Sequence, residues 1–307
     1  MDNRPIGVFD SGLGGLTVLK EIRRILPNES IVYFGDCGRT PYGVKSPETV
    51  RRYTFQNTRF FLEVGVKLLV IACNTSSACA YGPVAGALGG LGVPVVEVIR
   101  PGAAAAASAT RNRRVGVIGT AATIASGVYV DVLGETDPDI QVFAKACPLF
   151  VPIAEEGPGW WDHVSARIIA EEYLGGLRET GIDVLLLGCT HYPLLGGVIS
   201  AALGGGIMLV SSAQAVAAEV SARLGALGLC AGSESEGGGG VGSESEGGGA
   251  GKAGGEGGSR GEVSPQIRFY TSDSPEKFEP LCGAILGEPA GACVQKLDID
   301  KYESRLP

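Results

Sequence analysis

Nine short apolar runs recur along this chain, with helical periodicity between them, and that alternation limits the fold more than any other feature. The runs are IGVFD (6–10), SIVYFG (30–35), KLLVIAC (67–73), VPVVEV (93–98), RVGVIGT (114–120), IQVFAKAC (140–147), DVLLLGC (183–189), GIMLVSS (206–212) and QIRFYTSD (266–273). They are rich in Val and Ile and apolar on successive positions, the pattern of strands covered on both faces. Between the first two, Leu16, Leu19, Ile22, Ile25 and Leu26 recur near helical spacing, with Lys20, Glu21, Arg23 and Arg24 on the opposite face. SPETVRRYTFQNTRFFLEVG (46–65) opens with a helix-start signature and closes at Gly65. The order βαβα predicts an α/β protein with mainly parallel sheets. About nine strands exceed what one compact sheet usually carries, so two α/β domains are expected.

In open α/β sheets, ligands bind beyond the carboxyl ends of the strands. Four predicted strand ends carry reactive or polar groups: Asp10-Ser11, Cys73-Asn74-Thr75, Thr120 and Cys189-Thr190-His191. A single buried cysteine in such a place usually acts as a small hydrophobe. Two cysteines at equivalent strand ends, each beside hydrogen-bonding groups, point instead to thiol chemistry. Cys37, Cys79, Cys147, Cys230, Cys282 and Cys293 lack that company and are read as structural or incidental. Of the two histidines, His163 follows Trp160-Trp161-Asp162 without catalytic company and is read as structural or exposed.

Composition excludes several classes. A net charge of −8 argues against general affinity for nucleic acid or an anionic membrane. No basic-then-apolar leader precedes the first strand, and no apolar run reaches the roughly 18 residues a membrane helix needs, so a cytoplasmic protein is expected. Eight cysteines in that setting are expected to be reduced thiols. There is no C-x-x-C, and no metal site is expected. Residues 231–262 differ in kind: GSESEGGG occurs at 232 and again at 242, and six Glu against one Lys and one Arg leave −4. With one Val and no larger apolar residue, this tract is read as a flexible surface insertion interrupting a domain.

Two segments admit other readings. DSGLGGLTVLKEI (10–22) has Gly12-x-Gly14 after a strand, but Thr17 stands where a dinucleotide fingerprint needs its third glycine. It reads as a glycine-rich turn into a helix whose N-terminal N–H groups can hold a carboxylate. DCGRTPYG (36–43) is either a plain turn or a loop offering backbone and hydroxyl contacts to a small polar ligand.

The stretches IGVFDSGLGGLTVL, FGDCGRTPYG, ACNTSSA, VGVIGTAATIASGVY, CPLFVPIAEEG and GCTHYPLL, taken together, resemble the glutamate racemases of the cofactor-independent aspartate/glutamate racemase superfamily. The likeness covers nearly the whole chain apart from 231–262. It implies two similar α/β domains with the active site between them: a discontinuous first domain at 1–98 plus 210–307, and a second at 99–209. It implies interconversion of L- and D-glutamate for peptidoglycan without a cofactor, and agrees with the lack of a lysine at any strand end in a Schiff-base setting. Racemisation must remove a proton from one face of Cα and deliver one to the other, which suits two opposed acid/base groups. The resemblance assigns Cys73 to deprotonate D-glutamate and Cys189 to deprotonate L-glutamate. It places Asp10 near Cys73, and His191 and Glu155 near Cys189. It gives substrate binding to Asp10, Ser11, Tyr42, Gly43, Asn74, Thr75, Thr120, Thr123, Thr190 and His191. Family members are often dimers, so a homodimer is expected. An aspartate or hydantoin racemase and a non-catalytic binding module are competing readings; a nucleotide-binding or phosphoryl-transfer protein is a third, opposed by the missing third glycine, by Gly12 where a second Asp is needed, and by the lack of G-K-[ST].

Overall fold

The computed structural model describes residues 2–231, 265–287 and 294–307. From Gly232 onward the acidic glycine-rich tract lies outside the described residues, as does Cys293. Ten strands are described: β1 (Ile6–Asp10), β2 (Ile31–Gly35), β3 (Leu68–Ile71), β4 (Val95–Glu97), β5 (Arg114–Gly119), β6 (Gln141–Ala146), β7 (Val184–Gly188), β8 (Met208–Ser211), β9 (Ile267–Thr271) and β10 (Gln295–Lys296). All nine sequence-predicted strands are present. The tenth is a two-residue, exposed edge strand with no apolar pattern to betray it.

The strands form two sheets, one ordered β10-β9-β2-β1-β3-β4 and the other β6-β5-β7-β8, with every pairing parallel. The architecture is therefore α/β, as the alternation of runs predicts. Both sheets contain the same winding, in which the first strand of the unit lies between the second and the third. β1, β2, β3 and β7 are buried at every position, and their sequences are correspondingly apolar without alternation. β6 and β8 sit at the edges of the smaller sheet and are largely exposed or half-buried.

The crossover helices obey local rules. Ser46 caps the helix Pro47–Val64 by accepting from the Thr49 amide, and Gly65 ends it in the left-handed conformation at φ 75°. The helices Leu16–Ile25 and Ser212–Leu227 pack together in one core cluster with Val8, Leu68, Val70 and Phe269. Helix Ile99–Ala109 instead buries Ile99, Ala103 and Ala106 against Val115, Val117 and Leu186 of the smaller sheet. Trp161 and Leu194 pack against cores of both halves and bring the two sheets together.

Two predicted strands run past their ladders. β3 stops at Ile71 and β7 at Gly188, so Cys73 and Cys189 lie one or two residues beyond the last paired position. Each thiol thus sits where the backbone leaves the sheet, and Cys73 becomes the N-cap of helix Asn74–Gly89.

At the opposite end of the larger sheet, Lys67 precedes β3 fully buried and ion-paired with Glu29. Its ammonium also donates to the Asp2 carbonyl at 2.7 Å, and Glu29 Oε1 accepts from the Ala231 amide at 2.8 Å. Removing one partner leaves a buried charge without its counter-ion. Lys67→Ala is expected to lower the unfolding free energy by about 3–5 kcal/mol in urea denaturation. Lys67→Met combined with Glu29→Leu is expected to lose less than the sum of the two single changes.

Candidate active site

Because all strands of each sheet are parallel, their carboxyl ends emerge on one side, and the residues emerging from the two sheets meet at a single small cavity. Ser11 follows β1, Cys73-Asn74-Thr75 follow β3, Thr120 follows β5, and Cys189-Thr190-His191 follow β7; all line that cavity, with Pro41, Tyr42, Gly43 and Val151. The cavity holds about 10 Å³, room for roughly one water. Its lining brings together ten of the sequence-predicted site residues. Asp10, Thr123 and Glu155 stand immediately behind it through hydrogen bonds.

Asp10 ends β1 fully buried. Its Oδ2 accepts from the Gly15 amide at 2.9 Å and the Gly12 amide at 3.4 Å, and Thr190 Oγ1 donates to both carboxylate oxygens at 3.4 Å. The glycine-rich turn therefore does hold a carboxylate, and it is the protein's own. Burial pushes the Asp10 carboxyl up from its ordinary range, opposed by the charge of His191 and by the backbone donors. Tyr33 Oη donates to the Gly12 carbonyl at 2.9 Å and fixes the turn from below.

The two thiols have different surroundings. Cys73 Sγ accepts from the Ser76 amide at 3.4 Å, and burial together with the neighbouring Asp10 charge pushes this thiol up to about 12. Cys189 Sγ lies 3.7 Å from His191 Nδ1, and His191 Nε2 lies 3.0 Å from Glu155 Oε1. Burial works against a charged imidazole here, but the hydrogen bonds to Cys189 and Glu155 outweigh it and hold His191 well above its usual value. The chain Cys189–His191–Glu155 continues to Thr40, whose hydroxyl donates to Glu155 Oε1 at 3.4 Å.

The remaining lining is neutral and rich in donors. The hydroxyls of Thr75, Thr120 and Thr123 form a triangle with sides of 3.0, 3.2 and 3.0 Å. Asn74 Oδ1 accepts from Tyr129 Oη at 2.6 Å, while its buried Nδ2 has no partner. Tyr42 lines the cavity, but its hydroxyl turns away to Asp36, and Asn57 donates to it at 3.2 Å. Tyr42 and Gly43 thus face the cavity without that hydroxyl. Asp36 is itself clamped by Arg39 and by Ser272 Oγ at 2.7 Å. This clamp escaped the sequence reading, although an Asp just after an apolar strand was its visible signal. Among the described residues, the other cysteines stand apart from the cavity, and His163 is an exposed N-cap of helix Val164–Arg178.

Glycines permit this closeness. A β-carbon at Gly14 would lie 2.6 Å from His191 Nδ1 and closer still to Thr190 Oγ1, and one at Gly12 would lie 2.6 Å from Glu155 Oε1. Gly43 lies flat on Thr120 in the same way. Gly14→Ala is expected to cost about 1–3 kcal/mol of stability through overpacking and to displace His191. Thermal denaturation and the shift of the His191 imidazole resonances check both effects.

Comparison with known proteins agrees with this geometry. The model of the Asp/Glu/Hydantoin racemase family matches residues 6–220. A glutamate racemase of Geobacter metallireducens is 53% identical over 214 residues, 70% of this chain and 77% of the relative. A glutamate racemase of Syntrophus aciditrophicus is 41% identical over 92% of this chain and 93% of its own. Among solved structures, a glutamate racemase isoform of Bacillus anthracis superposes with a TM-score of 0.81 at 35% identity, covering 97% of this chain and 98% of that one. The Francisella tularensis glutamate racemase, solved with D-glutamate, gives 0.81 at 33% identity over 98% and 100%. A family match spanning both sheets, on a cavity that gathers residues from the ends of both, makes this chain a member of the Asp/Glu/hydantoin racemase family.

Proposed function

We propose that the chain interconverts L- and D-glutamate through two opposed thiols, Cys73 and Cys189, without a cofactor. The observation that carries this reading is that both thiols line one cavity, each just beyond the third strand of a like-wound unit, and each has its own proton-handling neighbour. Glutamate is favoured as substrate because the relatives at 41–53% identity are named glutamate racemases and one of the superposed structures was solved with D-glutamate. The division into a first domain of 1–98 plus 210–307 and a second of 99–209 is supported by sheet membership, with the return to the larger sheet following β8 at Ser211.

In this account Cys73 removes the α-proton of D-glutamate while Cys189 protonates the opposite face, and the roles reverse for L-glutamate. One sulfur begins as thiolate and the other as thiol; each turnover moves one proton onto the first and one off the second. Asp10 exchanges the proton at Cys73. His191, backed by Glu155, does so at Cys189. Among the described lining residues no lysine or arginine is present, so the substrate's ammonium brings a positive charge that favours the ionised thiol. The threonine triangle and the free Asn74 amide supply donors for the carboxylates and for the charge that develops as the α-proton leaves. Glutamate is much larger than the cavity, so the loops from the two sheets part to admit it and close to exclude water. The reading also includes a cytoplasmic location and a supply of D-glutamate to peptidoglycan.

Cys73→Ala and Cys189→Ala are each expected to reduce racemisation by about 10²–10⁴-fold. The two enantiomers have equal free energy in water, so kcat/KM must fall equally in both directions for any variant. Circular dichroism of reactions started from each enantiomer measures this; unchanged optical activity with folded wild-type protein would remove the glutamate assignment. The wild-type rate is expected to keep rising with pH through the neutral range, because burial and the Asp10 charge push the Cys73 thiol up to about 12 and its ionised fraction grows as that value is approached.

A further inference from the structure

Three buried side-chain atoms among the described residues lack a hydrogen-bond partner: Glu29 Oε2, Asn74 Nδ2 and Ser76 Oγ. Glu29 is ion-paired with Lys67, so its carboxylate is accounted for. The other two lie in the first turn of one helix, Asn74–Gly89, directly after Cys73. An unpartnered buried hydroxyl costs stability, and Ser76 is fully buried. Its placement therefore needs an explanation that the folded, resting protein does not supply.

The neighbouring sulfur supplies one. The Ser76 amide already donates to Cys73 Sγ at 3.4 Å, which fixes Ser76 beside the thiol. A neutral thiol is a poor acceptor, whereas a thiolate is a charged one, and hydrogen bonds to charged acceptors are markedly stronger. The side chains of Ser76 and Ser11 both favour the ionised form of Cys73, against the burial and the Asp10 charge that oppose it. We propose that the Ser76 hydroxyl is a catalytic donor to the Cys73 sulfur, turning onto it when the thiol gives up its proton. The hydroxyl keeps its own hydrogen throughout; only the α-proton of the substrate and the thiol proton change owners. Ser76 and the backbone amide at the same residue then form a two-donor cradle on one face of the substrate, and the His191–Glu155 pair serves the sulfur on the other. This inference rests on Cys73 acting as a thiolate in the proposed racemisation.

Ser76→Ala removes the hydroxyl and keeps the amide donor. Three readouts are taken on the purified full chain: thermal denaturation, the pH dependence of Cys73 alkylation by iodoacetamide followed by peptide mass spectrometry, and kcat and KM from both enantiomers. The other groups at the cavity that bear on the alkylation profile, Asp10, Cys189 and His191, are unchanged in the variant. The expected result is a melting temperature equal to or above wild type, Cys73 alkylation at neutral pH slowed by about tenfold, and kcat lowered by about tenfold in both directions. Unchanged alkylation and unchanged kcat would overturn the proposal. A lower melting temperature with unchanged alkylation would overturn it too, because the hydroxyl would then be structural. Alkylation does not depend on substrate, so an inactive wild type in which Ser76→Ala still slows alkylation would sink the glutamate reading while leaving the Ser76–Cys73 bond intact.

Discussion

Parallel strands deliver all their carboxyl ends to one side of a sheet, and the site depends on two sheets turning those sides toward each other. The winding shared by the two sheets then does the rest. In each, the first and third strands of the unit are neighbours, so Asp10 and Cys73 emerge side by side, and Thr120 and Cys189 do the same from the other sheet. Two thiols at equivalent strand ends come to line one cavity because the chain repeats one topology twice. Trp161 and Leu194, packed against the cores of both halves, are among the apolar contacts that join them.

Enclosure is costly for charged groups, and the hydrogen-bond pattern shows how each is held. Asp10 is compensated by two backbone amides and a threonine hydroxyl, His191 by a thiol on one nitrogen and a carboxylate on the other. The glycines at 12 and 14 let the turn approach Glu155, Thr190 and His191 closely enough for those groups to share one small volume. Two buried donors beside the cavity, Asn74 Nδ2 and Ser76 Oγ, are left without a partner inside the protein, a local cost in stability.

Much of this was legible in the sequence because buried parallel strands are apolar without alternation, and because polar residues after such a run must lie at its carboxyl end. All four polar strand ends singled out there meet at the cavity. Tertiary detail was not legible. Nothing in DCGRTPYG shows that the Tyr42 hydroxyl turns to Asp36 and away from the cavity, since that depends on Arg39 and on Asn57 from a separate helix. The buried Lys67–Glu29 pair joins residues from different crossovers, and the edge strand Gln295–Lys296 has no apolar signature. Ser76 stood inside a recognised motif, but its importance emerges only from its lack of a partner, which is a property of packing.

The central claim is that two thiols act on opposite faces of one carbon. The most direct measurement follows the α-hydrogen by NMR during early turnover of each enantiomer in deuterium oxide. The account predicts that each product enantiomer carries deuterium at Cα while the unreacted substrate stays protiated, because the base that removes the proton is not the acid that returns one. Product that retains the substrate's own hydrogen would mean that a single group carries the proton across, and the two-thiol account would be wrong.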